Sequence, residues 1–176
     1  MISNTKESKF TVKDITLIAI LTTILFVQEQ LLSFLPNVQL TVFLLVVYSK
    51  KLGLLKTVII TLIHTILDCL VMGSLNVAYF PFMLIGWMLI PVLLNTIFKK
   101  VESNISLAFL GVLFSFMYCW IYIIPSIIIL EVDFISYFYA DIIWEIILAT
   151  SSFLTIMLLY TPCALVLDKI TKREIY

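Results

Sequence analysis

All eleven basic residues of this chain stand in four short clusters, and long apolar runs separate one cluster from the next. Lys6, Lys9 and Lys13 come first, followed by Lys50, Lys51 and Lys56, then Lys99 and Lys100, and last Lys169, Lys172 and Arg173. A membrane-spanning helix needs roughly 20 mostly apolar residues. The runs divide into six candidate spans: Val12 to Phe34, Val38 to Ser49, Leu54 to Met72, Ala78 to Phe98, Ile105 to Leu130 and Ser136 to Leu167. With six spans every basic cluster falls on one side, and the three connections on the other side hold none. An odd number of spans would scatter them. Basic residues concentrate in cytoplasmic loops, so both ends are expected in the cytoplasm.

Composition agrees. The chain is 62% hydrophobic and 12% charged, whereas a soluble domain is roughly half apolar and a quarter charged. So few charges could not wet the outside of a globule. The expected fold is an all-α membrane protein, one six-helix domain over residues 1–176, with cytoplasmic tails at 1–11 and 169–176. Eleven acidic residues balance the basic ones, which gives no reason to expect a nucleic-acid partner. The first apolar run is too long for a signal-peptide core and reads as a permanent helix. Cys69, Cys119 and Cys163 sit inside apolar runs without metal-ligand spacing and read as small packing residues.

The second span is short. Twelve residues of helix cover about 18 Å, less than the hydrocarbon thickness. Either this helix starts deep in the protein, shielded by neighbours, or the Pro36-Asn37 turn lies below the outer surface. Irregular backbone at that depth persists only against protein or a wet cavity, so the turn is a candidate cavity wall.

Ionisable residues within spans are costly and usually face the interior or water. Here they are Glu29, His64, Asp68, Asp141 and Glu145, and all fall in the outer half or near the midplane. His64 and Asp68 are four residues apart, so they share a helical face and could pair. Asp141 and Glu145 share that spacing and repel unless a proton or cation intervenes. Gln28, Gln30, Asn37, Gln39, Asn76, Trp87, Trp120, Tyr122 and Trp144 lie at similar depth. One reading is an outward-facing polar pocket with aromatic walls. The plainer one leaves the acids solvated among lipid headgroups, the His64–Asp68 pair structural and the aromatics in lipid or core. As a pocket, four carboxylates against one histidine favour a cation, or a neutral ligand rich in donors.

Thr16, Ala19, Thr22 and Thr23 sit at three- and four-residue spacings on the first helix, and Ala19 with Thr23 forms a small-xxx-small pair. Such faces allow close helix approach in lipid, either within this chain or against another membrane subunit. Catalytic patterns are missing: there is no His-Glu-x-x-His, no phosphate-binding glycine loop and no nucleophile elbow. The expectation is a protein that binds or passes something, without catalysis or a cofactor of its own.

The opening pattern, Lys13-Asp14-Ile15-Thr16-Leu17-Ile18-Ala19-Ile20-Leu21-Thr22-Thr23, leads to the turn Phe34-Leu35-Pro36-Asn37-Val38-Gln39-Leu40. With the size and the six spans, it resembles the substrate-binding S components of energy-coupling factor (ECF) importers, over nearly the whole chain. The resemblance implies capture of a vitamin or related micronutrient from the outer side of a bacterial cell membrane. It also implies association with a membrane coupling subunit and two cytoplasmic ATPases, and delivery by reorientation in the bilayer. The family docks its coupling subunit through small residues at four-residue spacing on the first helix. Ala19 and Thr23 match that spacing, with threonine where alanine is usual. Two other readings stay open: a small ion-coupled transporter using Glu29, Asp68 and Glu145, and a non-transporting scaffold.

Overall fold

A computed structural model describes residues 10–71 and 79–172. Among these there are six helices: α1 (Val12–Leu32), α2 (Thr41–Leu52), α3 (Leu54–Val71), α4 (Phe80–Asn95), α5 (Asn104–Leu130) and α6 (Phe134–Lys172). The all-helical expectation holds. Four of them, α1, α3, α5 and α6, are long and apolar enough to cross a membrane, and α4 is a shorter apolar helix. The expected ends of the third span at Met72 and the start of the fourth at Ala78 lie outside the described residues, as do Lys6, Lys9, Arg173 and Asn76.

The surface is inverted relative to a protein in water. Ile15, Ile20, Leu31, Leu70, Phe109 and Leu158 are exposed, while His64, Asp68 and Glu145 are buried. Such an arrangement has lipid as its solvent: apolar side chains face outward and polar ones seek each other inside.

The twelve-residue helix is the middle of the bundle. α2 touches every other helix, and its residues from Thr41 to Ser49 are all buried. A helix surrounded by protein is apolar on all sides, which explains the featureless run TVFLLVVYS. Its start is three residues later than the sequence suggests, because Val38, Gln39 and Leu40 complete the turn out of α1. Of the two explanations for its shortness, shielding by neighbours is the one observed.

A helix that begins inside protein must find partners for its first amides. Gln28 of α1 meets part of that need: its Oε1 accepts from the Leu40 amide at 2.9 Å, and its Nε2 donates to Thr41 Oγ1 at 2.9 Å. At the far end of α2 a single residue, Gly53, joins it to α3 with φ of 79°. This left-handed backbone suits glycine because a Cβ would be strained there.

Gly53, Lys50 and Lys51 mark the end of the bundle where the basic clusters meet. Lys56 pairs with Asp14, Lys51 Nζ lies 2.7 Å from Asp168 Oδ2, and Lys50 Nζ donates to the carbonyls of Phe98 and Lys99 at 2.8 and 3.2 Å. These contacts tie α1, α2, α3 and α6 and the α4–α5 connection together at one end. The carboxylates of interest lie towards the other.

The longest pairing is α5 with α6. Gly111 brings them close, and Ser115 and Ser152 hydrogen-bond across the seam at 2.9 Å. α6 has 39 residues, so at about 1.5 Å per residue it exceeds the bilayer core. It begins at the acidic turn, where Glu131 takes a left-handed φ of 53° and Asp133 Oδ2 accepts from the Ser136 amide at 3.0 Å.

Candidate functional site

The last turns of α1 carry Gln28, Glu29 and Gln30 in succession, and each is drawn to a different element. Gln28 caps α2. Glu29 Oε2 lies 3.1 Å from His64 Nε2 on α3. Gln30 Nε2 donates to Asp68 Oδ1, one turn further along α3, at 3.2 Å. The i,i+4 relation of His64 and Asp68 therefore aims both at α1. The shared face that allowed a His64–Asp68 pair instead makes two interhelical contacts, His64 with Glu29 and Asp68 with Gln30.

His64 is wholly buried, whereas the Glu29 side chain is 20% exposed. Their contact is ionic in distance but falls outside hydrogen-bond alignment, and His64 Nδ1 has no hydrogen-bond partner among the described residues. The Thr41 hydroxyl stands 3.4 Å from Glu29 Oε2 and 2.9 Å from Gln39 Oε1. One hydroxyl proton serves one acceptor at a time, and the shorter contact favours Gln39. Both contacts fall on Oε2, so the second oxygen of Glu29 has no partner among the described residues and is left to the space beside it.

That space is a cavity of about 410 Å³. α1 and α3 supply Glu29 and Asp68, the α1–α2 turn supplies Asn37 and Gln39, and α4 supplies Met83. α5 contributes Tyr118, Cys119 and Tyr122, and α6 contributes Tyr137, Asp141 and Leu148. The turn expected to form a wall does so, with Asn37 in the left-handed region at φ 57°. Ser151 Oγ of α6 holds the same turn by donating to the Gln39 carbonyl at 3.2 Å. A smaller groove of about 170 Å³ adjoins it and shares Glu29, Asn37, Gln39 and Asp68.

The aromatic wall consists of tyrosines. Tyr118 stacks on Trp87 with ring centroids 3.8 Å apart and on Tyr122 at 5.9 Å, and Tyr79 leans on Tyr122 at 5.3 Å. A Cβ added to Gly86 would stand 2.7 Å from Tyr118 Cδ2, so glycine there is what lets Tyr118 settle so close to α4. None of the three tryptophans lines the cavity. Trp87 is fully buried behind Tyr118, while Trp120 and Trp144 are 54% and 41% exposed on the outside of the bundle. Spacing carried the signal for this: Tyr118 and Tyr122 are i,i+4 on one face, and Trp120, two residues from each, faces away. Cys119, expected to be packing, is also part of the lining.

Asp141 faces the cavity and makes no hydrogen bond or ion pair among the described residues. Glu145, one turn further, departs from the expected site. It is fully buried, outside the lining of the cavity, and neither carboxyl oxygen has a well-formed hydrogen bond. Cys119 and Trp120 of α5 are its polar neighbours. Asn76 lies outside the described residues. Thr16, Ala19 and Thr23 are exposed on the outer face of α1 while Thr22 is buried, so packing within this chain accounts for Thr22 and not for the other three. The Thr16 and Thr23 hydroxyls bond back to the Val12 and Ala19 carbonyls at 3.0 and 2.9 Å.

A second cavity of about 430 Å³ lies at the basic end, lined by Lys50, Lys51, Lys99, Glu102 and Tyr160 among others. Its first two lysines already serve carbonyls and Asp168.

No family model matches this chain, and no curated protein or solved structure matches it either.

Proposed function

We propose that this chain is the substrate-specific binding subunit of an ECF-type importer in a bacterial cell membrane, a multi-pass protein with both ends in the cytoplasm. It captures a vitamin or related micronutrient in the cavity from the outer side. It then delivers that ligand together with a membrane coupling subunit and two ATPase subunits, and catalyses no reaction itself. The observation that carries this reading is the roughly 410 Å³ cavity, lined by polar side chains from both halves of the chain, at the end away from the lysines. Pockets of some 300–1,000 Å³ suit a small organic ligand. The exposed small face of α1 supports the partner, since Thr16, Ala19 and Thr23 let another helix approach closely. The test is native mass spectrometry of protein purified gently from its host membranes. A stoichiometric small molecule, lost in Asp68→Ala, with coupling and ATPase subunits co-purifying, supports the reading; an empty protein without those subunits overturns it.

One observation favours a second reading, a small ion-coupled transporter. Glu145 is a buried carboxylate with Trp120 and Cys119 as its polar neighbours and no cation beside it among the described residues, and such groups inside membranes often belong to proton or ion pathways. Uptake that survives collapse of the ion gradient but requires ATP would exclude it.

A further inference from the structure

We infer that the ligand of this cavity is an organic cation carrying a flat ring, its charge held by Glu29, Asp68 and Asp141 and its ring laid on Tyr118 and Tyr122. The inference rests on the reading of the cavity as a ligand site and narrows what that site takes.

Three observations carry it. The first is an excess of acceptors. Among the described residues Asp141 has no hydrogen-bond or ion-pair partner, Asp68 accepts one hydrogen bond from Gln30, and Glu29 keeps one oxygen uncommitted. No lysine or arginine is part of the lining, and His64, the nearest basic side chain, lies behind Glu29 and outside the lining. An anionic ligand would meet three carboxylates with nothing to offset them. A neutral one would leave negative charges uncompensated at membrane depth, where solvation is poor.

The second is the shape of the wall. Trp87, Tyr118 and Tyr122 form one stack, with interplanar angles of 18° and 24° between successive rings. A flat ring extends such a stack, and a positive charge on it gains from the electron-rich faces. The third is the spread of donors and acceptors. The acids come from α1, α3 and α6, on more than one side of the space. Metal binding calls instead for ligands converging on a point, and no group of three or more metal-ligating side chains converges among the described residues.

The test uses three isosteric probes on the purified full-length protein in detergent: benzamidinium, benzamide and benzoate, followed by concentration-dependent thermal stabilisation. Benzamidinium is expected to bind at least about tenfold more tightly than benzamide, with benzoate weakest, as charge-assisted hydrogen bonds imply. Asp68→Asn and Asp141→Asn are each expected to remove most of that preference. Glu102→Gln, which removes the same charge at the opposite end, leaves it intact. Asp141 makes no hydrogen bond or ion pair among the described residues, so its variant keeps the test valid should Asp68→Asn fold poorly. Benzamidinium binding no better than benzamide, the absence of either included, overturns the cation assignment. The importer reading would then still stand or fall on co-purifying subunits and retained native ligand.

Discussion

His64 Nε2 on α3 lies 3.1 Å from Glu29 Oε2 on α1, and this contact, with its neighbour Gln30–Asp68, fastens α1 to the bundle beside the cavity. Removing one partner leaves the other without compensation in a poorly solvating interior. Glu29→Ala and His64→Ala are each expected to cost about 1–3 kcal/mol. The double variant should cost less than their sum, with a coupling of about 0.5–2 kcal/mol. Unfolding of the four proteins in mixed detergent measures it; strict additivity would show that the pair contributes nothing.

Gln28 supplies the side-chain partners for the buried start of α2. Gln28→Ala should therefore destabilise by about 1–2 kcal/mol, the usual effect of losing a helix cap. Gln28→Glu keeps an acceptor for the Leu40 amide and should lose less. Thermal unfolding of both variants decides the order, and the reverse order would refute the capping role.

Two glycines are expected to fail for different reasons. Gly53→Ala meets no neighbour within 4 Å but forces a left-handed backbone on alanine, costing about 1 kcal/mol without touching the cavity. Gly86→Ala drives a methyl into Tyr118, costing about 1–3 kcal/mol by overpacking and shifting the aromatic wall. Stability should fall in both, whereas ligand affinity should fall only in Gly86→Ala. Equal loss of affinity in both would contradict this division.

Glu145 is buried between α5 and α6 without a well-formed hydrogen bond. Glu145→Gln should leave stability unchanged or raise it by about 1 kcal/mol, since a neutral amide loses less on burial than a carboxylate. A clear loss of stability would mean that the charged carboxylate is held by its neighbour Trp120. Loss of uptake in a fully stable variant would favour the ion-coupled reading.

Orientation can be read by labelling. With Cys69, Cys119 and Cys163 replaced by alanine, a cysteine at Val132 should react in intact cells with a membrane-impermeant thiol reagent. One at Lys100 should react only after the membrane is opened. The opposite pattern would invert the topology and place the cavity on the cytoplasmic side.

The primary sequence by itself determined the number and approximate places of the helices, because apolar runs between charged turns have few other solutions in lipid, while the ends of α2, α4 and α6 moved by several residues on packing. It also marked Glu29, Asp68 and Asp141 as residues needing a reason to be there, and the Pro36-Asn37 turn as a wall. Tertiary structure alone decided who meets whom. Helical spacing shows that His64 and Asp68 share a face, but the helix opposite that face depends on packing, and here it is α1. Likewise hydropathy treats every aromatic in a span alike, so Trp120 and Tyr122 could not be told apart until α5 was docked on α4 and α6. The central place of α2 follows the same rule. Its uniform apolarity fits lipid or protein equally well, and only the five helices packed around it make it the core.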